Sequence, residues 1–252
     1  MSIPSTATAL WALLPISVVV WTGQMLMFHA IGFGFELCDR AGVLRNFKIR
    51  RQERLTYAGA LPRVLFNQTF VLLPAMWLCE KTGLAFAGSP GITVGFAAIA
   101  LVLMTVGHDV VQYAAHRGML HNARFRWLRH GLHHSTGASR AITACYMSAP
   151  DFFLTIVCPY LVPLILIGGG TANVPFQLLV ACLGAVGGLY EHSGYDFASA
   201  LAPGRWFKLV PASLVSSHAH GEHHRRSRVS FSDGFGSPGL CDLVFRTRWD
   251  LR

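Results

Sequence analysis

The sequence predicts an all-α integral membrane protein, with four to five transmembrane helices joined to a helical, histidine-rich domain on one face of the membrane. Three observations predict it. Hydrophobic residues make up 52% of the chain and charged residues 13%, about half the ~25% usual in soluble domains. The apolar residues gather into long runs. The 21 Lys and Arg, against 12 Asp and Glu, fall mainly in alternate connecting segments. That is the positive-inside pattern of a membrane protein rather than the footprint of a nucleic-acid binder.

The first apolar run covers residues 9–31, and with no Lys or Arg before it, it reads as a retained span rather than a secretory signal. Arg40, Arg45, Lys48, Arg50, Arg51, Arg54 and Arg63 follow. The second run, residues 61–79, leads to a loop whose one basic residue is Lys81. The third, residues 92–107, opens into a segment carrying Arg117, Arg124, Arg126, Arg129 and Arg140. The fourth and fifth, residues 152–169 and 174–190, flank an uncharged turn containing Gly168, Gly169 and Gly170, and the basic tail follows. A span needs about 20 apolar residues, so the third and fifth must borrow from the polar residues after them. Lipid offers the backbone no partners, so each span must be helical. Five crossings put the N-terminus outside and the tail in the cytoplasm; without the first, the count is four and the N-terminus moves inside. The chain thus divides into residues 1–107, helices plus a basic loop, and residues 108–252, a catalytic region with two further spans. A bacterial inner membrane is the expected location. The six cysteines form no CxxC pair and are expected to be reduced packing residues. The sequon-like Asn67-Gln68-Thr69 lies within a span, where no glycan is expected.

Of 12 histidines, only His29 lies in the first span. The rest fall in the two long cytoplasmic segments and at their junctions with the spans. His116 and His121 form an HX4H box. His130, His133 and His134 form an HX2HH box, and His220, His223 and His224 form another. His192 closes the fifth run. Residues i, i+3 and i+4 of a helix share a face, so each HX2HH box is expected to present three imidazoles in one direction. A solvated basic face would use Lys, which is nearly absent here; the pattern points to metal. Nine imidazoles exceed the needs of one ion and suit two with open positions. Imidazole alone does not name the metal.

This order of boxes resembles the fatty acid hydroxylase/sterol desaturase superfamily of membrane di-iron enzymes. The similarity runs from Asp109, through the Asp-to-His116-Arg117 approach to the first box, to a closing segment at Asp242 to Thr247. Glu191-His192-Ser193-Gly194-Tyr195-Asp196 is most similar to the C4-methyl sterol oxidase branch. The resemblance implies metal ligation by His116, His121, His130, His133, His134, His192, His220, His223 and His224, with two iron ions as cofactor and zinc as an alternative occupant of isolated protein. It implies O2-dependent hydroxylation or desaturation of a C–H bond in a sterol or other lipid. Metal-bound histidines donate their second N–H to a carboxylate or carbonyl, and Asp109 and Asp196 are the favoured partners among the nearby acids, which include Asp151, Glu191, Glu222 and Asp242. His108 and His218 are further candidate ligands; His29 is expected to be a packing residue. Ala149 replaces a histidine common before the family's proline, Asp196 replaces a second histidine of hydroxylase members, and residues 229–237 keep little of the family's element after the last box.

Phe125, Arg126 and Trp127, and Arg205, Trp206, Phe207 and Lys208, read as interfacial anchors. No redox domain is legible, since Gly32-Phe33-Gly34 lacks the third glycine of a dinucleotide fingerprint. Electrons would come from a ferredoxin or cytochrome b5-type donor and its reductase. Within the enzyme class, an acyl-lipid or carotenoid hydroxylase is the alternative. From other classes, a His-rich divalent metal transporter and a haem-anchoring protein compete. The transporter needs acidic groups inside the spans, and the haem protein leaves the repeated HX2HH boxes without a role.

Overall fold

A computed structural model describes residues 14–51, 54–169, 171–198, 216–232, 237 and 239–252. The expected anchors Arg205 to Lys208, and the first residues of the expected first run, lie outside the described residues. Helix α1 (Ile16–Ala41) begins after Pro15 and stops at Gly42, whose φ of 65° only glycine adopts cheaply. Helix α2 (Tyr57–Asn67) is capped by the Thr56 hydroxyl and passes through a π turn (Gln68–Leu72) into α3 (Leu73–Lys81). Helix α4 (Val94–Ala115) is capped by Thr93 and continues into a second π turn (His116–Leu120). The short α5 (Gly131–His134) follows. Then α6 (Ala149–Phe152), capped by Ser148, runs through a third π turn (Phe153–Val157) into α7 (Cys158–Leu166). Asn173 caps α8 (Val174–His192). Helices α9 (His218–Arg226) and α10 (Leu240–Val244) complete the described fold. Each cap supplies a side-chain oxygen to a backbone N–H that the helix start leaves unpaired.

Four of these rods are long and apolar enough to cross a membrane: Ile16–Ala41, Val94–Leu120, Ala149–Leu166 and Val174–His192. The protein is an all-α integral membrane protein. The third expected run does borrow polar residues, reaching Leu120. The second, residues 57–81, packs as a rod of similar length but is not among the four, because Arg63, Asn67 and Gln68 interrupt it. Asn67 is fully buried and its Nδ2 donates to the Cys145 and Met147 carbonyls, both at 3.0 Å.

The rods alternate in direction. Glu80, at the end of α3, accepts from Ile16 N and Ser17 N at 2.9 Å, capping the positive end of α1. At that same end Phe86 N bonds the Gly169 carbonyl and Ala172 N bonds the Ser89 carbonyl. Helix α8 runs parallel to α1: Gly23 abuts Leu178 and Gly32 abuts Leu189. Helix α7 crosses α4 where Gly107 meets Pro163, with no room for a Cβ. All long segments between and after the rods therefore gather at one end, and the nine box histidines lie there. The six cysteines are free thiols.

Candidate metal centre

The first box depends on the π turn. Residues five apart on an α-helix point about 140° apart, at 100° per residue. The turn at His116–Leu120 closes with an i→i+5 bond, His121 N to the His116 carbonyl at 3.0 Å. That register returns His121 to the face of His116, with ring centroids 5.0 Å apart. An X4 spacing is a matched pair only in this local geometry.

The nine box histidines converge into two groups. His116, His121, His130, His134 and His223 form one; His133, His192, His220 and His224 form the other. The HX2HH boxes therefore do not present their rings in one direction, as expected from sequence. On α5 the first and third histidines join the first group while His133 turns to the second. On α9 the assignment is reversed: His220 and His224 join the second group and His223 the first. The reason is angular. Positions i and i+4 lie about 40° apart on a helix, whereas i+3 stands about 100° from i+4. Two such turns facing each other each contribute to both groups.

The contacts inside the groups call for cations. In the first group Nε2 of His116 and His130 are 3.0 Å apart, His130 and His134 3.1 Å, His134 and His223 3.1 Å, and His121 and His223 3.2 Å. In the second, His192 Nε2 lies 3.1 Å from His133 and 3.0 Å from His220. Two nitrogens on one ion, each about 2.1 Å away and at right angles, are about 3.0 Å apart. In four of these histidines the other ring nitrogen is engaged elsewhere. His116 Nδ1 donates to the Phe231 carbonyl (2.8 Å), His130 Nδ1 to Asp151 (3.0 Å), His192 Nδ1 to the Gly188 carbonyl (3.0 Å) and His223 Nδ1 to the Val229 carbonyl (2.7 Å). Each of these rings therefore turns Nε2 into its group, and in a neutral imidazole with Nδ1–H so engaged that atom carries a lone pair. His224 is buried with neither ring nitrogen partnered. The residues present fit two cations, one per group.

The surroundings favour the neutral form of six of the rings. Burial, then the neighbouring imidazoles, push His121 and His134 down to about 3. The same causes hold His133, His220, His223 and His224 well below the ordinary histidine value. Neutral imidazole is the form that binds metal.

The carboxylates are arranged differently from the sequence expectation. Asp151, fully buried, is the acid that receives a histidine N–H, and Thr155 Oγ1 also donates to it at 2.9 Å. Asp109 touches no imidazole. It accepts from Leu240 N, Cys241 N and the Ser232 and Ser237 hydroxyls. Asp242 holds Phe231 N and Ser232 N. Together the two acids brace the segment whose Val229 and Phe231 carbonyls orient His223 and His116. Asp196 likewise reaches no imidazole; it accepts from Ser216 Oγ at 2.7 Å and Ala198 N at 2.9 Å. Backbone carbonyls carry no side-chain signature, so the role of residues 229–231 was not legible in sequence. Glu191 Oε2 stands 3.9 Å from His220 Nδ1. Neither extra candidate joins a group: His218 stacks on Trp249 and lies 3.9 Å from Glu222, and His108 bonds the Pro159 carbonyl. His29 packs against Gln68 at 3.1 Å.

The basic loop after α1 is more than an orientation signal. Arg50 donates to the Ala138, Ser217 and Glu191 carbonyls at 2.9, 2.9 and 2.6 Å. Lys48 donates to Asp39 and to the Ser139 and Ser193 carbonyls. The segment after His192 is the seat for this loop. Gly194, at φ 77°, accepts from Ile49 N and Arg50 N, and Tyr195 Oη donates to Asp39 at 2.8 Å beneath Lys48. The residues that most resemble the sterol oxidase branch thus face the loop.

A cavity of about 340 Å³ leads from the imidazoles down between α1, α4, α7 and α8. On α4 its wall is one helical stripe, Leu101, Met104, Thr105, His108, Gln112 and His116, apolar at depth and polar near the rings. On α8, Gly184, Ala185, Gly187 and Gly188 leave the space open. His133, His192 and His220 close its inner end. On the outer side a surface pocket of about 330 Å³ is lined by His121, Arg126, Arg129 and the buried His130.

Residues 101–247, more than half of the chain and all nine box histidines, match the family described as fatty acid hydroxylase. A search of curated proteins and a search of solved structures give no match. With paired imidazole groups above an apolar cavity between membrane helices, and a family match over the same residues, the chain belongs to the fatty acid hydroxylase family.

Proposed function

We propose that this protein is a membrane di-iron oxygenase that uses O2 and external electrons to hydroxylate, or desaturate, a C–H bond of a sterol or another lipid. Membership of the family makes it a hydroxylase- or desaturase-type oxidoreductase of lipids. The observation that carries the finer reading is the pair of convergent imidazole groups at the inner end of an apolar cavity. His116, His121, His130, His134 and His223 would hold one iron, and His133, His192, His220 and His224 the other. Imidazole sets suit iron and zinc alike, and zinc would occupy protein isolated without iron. When bound, the irons supply O2 activation and the removal of hydrogen from an unactivated carbon.

The protein's own residues do the positioning. The Phe231, Val229 and Gly188 carbonyls and Asp151 fix ring orientation. Met104, Phe28 and Ile156 line the cavity and exclude water from the reacting carbon. The lipid lies along the α4 stripe with its reacting end beneath His116, His133, His192 and His220. Electrons arrive from the other side, where Arg126 and Arg129 flank His121 and suit an acidic ferredoxin or cytochrome b5-type carrier. The histidine domain then faces the cytoplasm of a bacterial inner membrane, in keeping with its basic loops.

The test is metal and spectral analysis of protein purified with iron, beside lipid profiling of a deletion strain complemented with wild type or with His133→Ala. Two irons per chain, no Soret band, and a lipid change that wild type but not His133→Ala reverses are expected. A Soret band, or unchanged lipids in the deletion strain under aerobic growth, overturns the proposal.

A further inference from the structure

The cavity is not uniformly apolar at depth. Gln24 Oε1, Gln112 Oε1 and Tyr160 Oη are buried without a hydrogen-bond partner, and all three residues line it. A buried polar group without a partner costs about 1–3 kcal/mol, so three such atoms facing one space call for a ligand that completes them. Gln112 lies one helical turn before His116. Gln24 and Tyr160 lie far from the rings. Gly23, next to Gln24, abuts Leu178 on α8. Tyr160 follows Pro159, whose carbonyl bonds His108. His108 stands eight residues before His116, and Leu178 fourteen before His192. At 1.5 Å per residue the Tyr160 backbone lies roughly 12 Å and Gln24 roughly 20 Å from the imidazoles, and the Tyr160 hydroxyl comes near Cys182, ten residues before His192 and so roughly 15 Å out, which narrows the gap between the two side chains.

The geometry points to a second binding subsite in the membrane interior: Tyr160 and Gln24 receive a hydroxyl at the far end of an otherwise apolar lipid. The chemistry is that of a hydroxyl, since Tyr160 Oη can donate to its oxygen while Gln24 Oε1 accepts its proton. A carbonyl would satisfy Tyr160 but leave Gln24 Oε1 bare, and a carboxylate would be repelled by it. The substrate class is therefore a lipid with an apolar body of roughly 15 Å, the span worked from helix rise, separating a hydroxyl from the carbon under the metals. This rests on the proposed reaction site only for which end reacts; the subsite itself stands on the cavity and its unpartnered oxygens.

The experiment uses the full chain in nanodiscs, loaded with Co(II), and a series from 1-decanol to 1-hexadecanol beside n-alkanes of the same lengths. Binding is read as the shift in Tm and as the change in the visible Co(II) spectrum. Partitioning into the bilayer cancels when each probe is compared between wild type and variant. Wild type is expected to bind the best-fitting alkanol about tenfold tighter than its alkane, one net hydrogen bond of about 1.4 kcal/mol. Tyr160→Phe, which keeps the ring and hence the packing, is expected to lower that preference to about twofold without changing alkane binding, and Gln24→Leu to do the same. Equal binding of alkanol and alkane by wild type, or a preference intact in Tyr160→Phe, overturns the subsite. A preserved alkanol preference in protein that takes up no Co(II) would leave the subsite standing and remove the metal reading.

Discussion

Replacing Arg50 by methionine tests how the metal groups are held. The guanidinium donates to three carbonyls on three separate segments: Ala138 after α5, Glu191 beside His192, and Ser217 at the start of α9. These segments carry His130, His133 and His134; His192; and His220, His223 and His224. Burial lowers the Arg50 pKa to about 10, opposed chiefly by Glu191 and Asp196, so it stays a cation at neutral pH. A charged hydrogen bond contributes about 1.5–3 kcal/mol net, but removing the side chain also recovers the cost of burying its charge. The expected loss is about 3–5 kcal/mol, or roughly 6–20 °C in Tm for a chain of this size. Tm in detergent at a fixed scan rate, with metal content per chain, is the assay. Arg50→Lys should fall between, because one ammonium cannot reach all three carbonyls at once. A Tm within about 2 °C of wild type, with both ions retained, would refute the reasoning and return Arg50 to the role of a mere orientation signal.

Three further outcomes follow from the same structure. Asp151→Asn removes the charge that polarises His130, and should weaken metal affinity about 10- to 100-fold with little change in fold; a competition titration with a chelator reads it. Metal-free protein should lose stability as pH falls. His121 and His134 are depressed to about 3, so the folded state binds fewer protons than the unfolded chain below its ordinary histidine value near 6.5. Stability is then intact above about 6.5 and declines toward 3, by up to about 1.4 kcal/mol per pH unit for each such group. A flat Tm from neutral pH down to acetate buffer would contradict this. Gly194→Ala adds a Cβ 2.6 Å from the Arg50 carbonyl at φ 77°, and should cost about 2–4 kcal/mol. Gly95→Ala, whose added Cβ meets nothing within 4 Å, is the control and should be neutral or slightly stabilising on the same thermal assay.

The substrate side of the site was less legible than the metal side. The residues after His192 drew attention as a sterol-oxidase likeness, yet Ser193, Gly194, Tyr195 and Asp196 seat the loop at Lys48 to Arg50 and none lines the cavity. Gln24 and Tyr160, which do line it, carry no motif. They lie more than a hundred residues apart within apolar runs, and only helix packing brings them to one space. The favoured acids illustrate the same limit. Asp109 and Asp196 sit beside the boxes in sequence, but proximity along a chain says little about which carboxylate a ring nitrogen meets. Asp151 reaches His130 because the turn at Ser148 carries α6 back beneath α5.

The sequence by itself determined the helical class, most of the membrane rods, the end at which the polar segments gather, and the nine histidines that converge. Hydropathy and helical spacing are local properties, written within a few turns, and lipid leaves the backbone no alternative to helix. Only the tertiary structure decided how those histidines divide. The π turn brings His121 round to His116, and two facing HX2HH turns exchange their middle ring, so that five nitrogens meet in one group and four in the other. That division depends on the angle between helices far apart in sequence, a quantity that no spacing within either box contains.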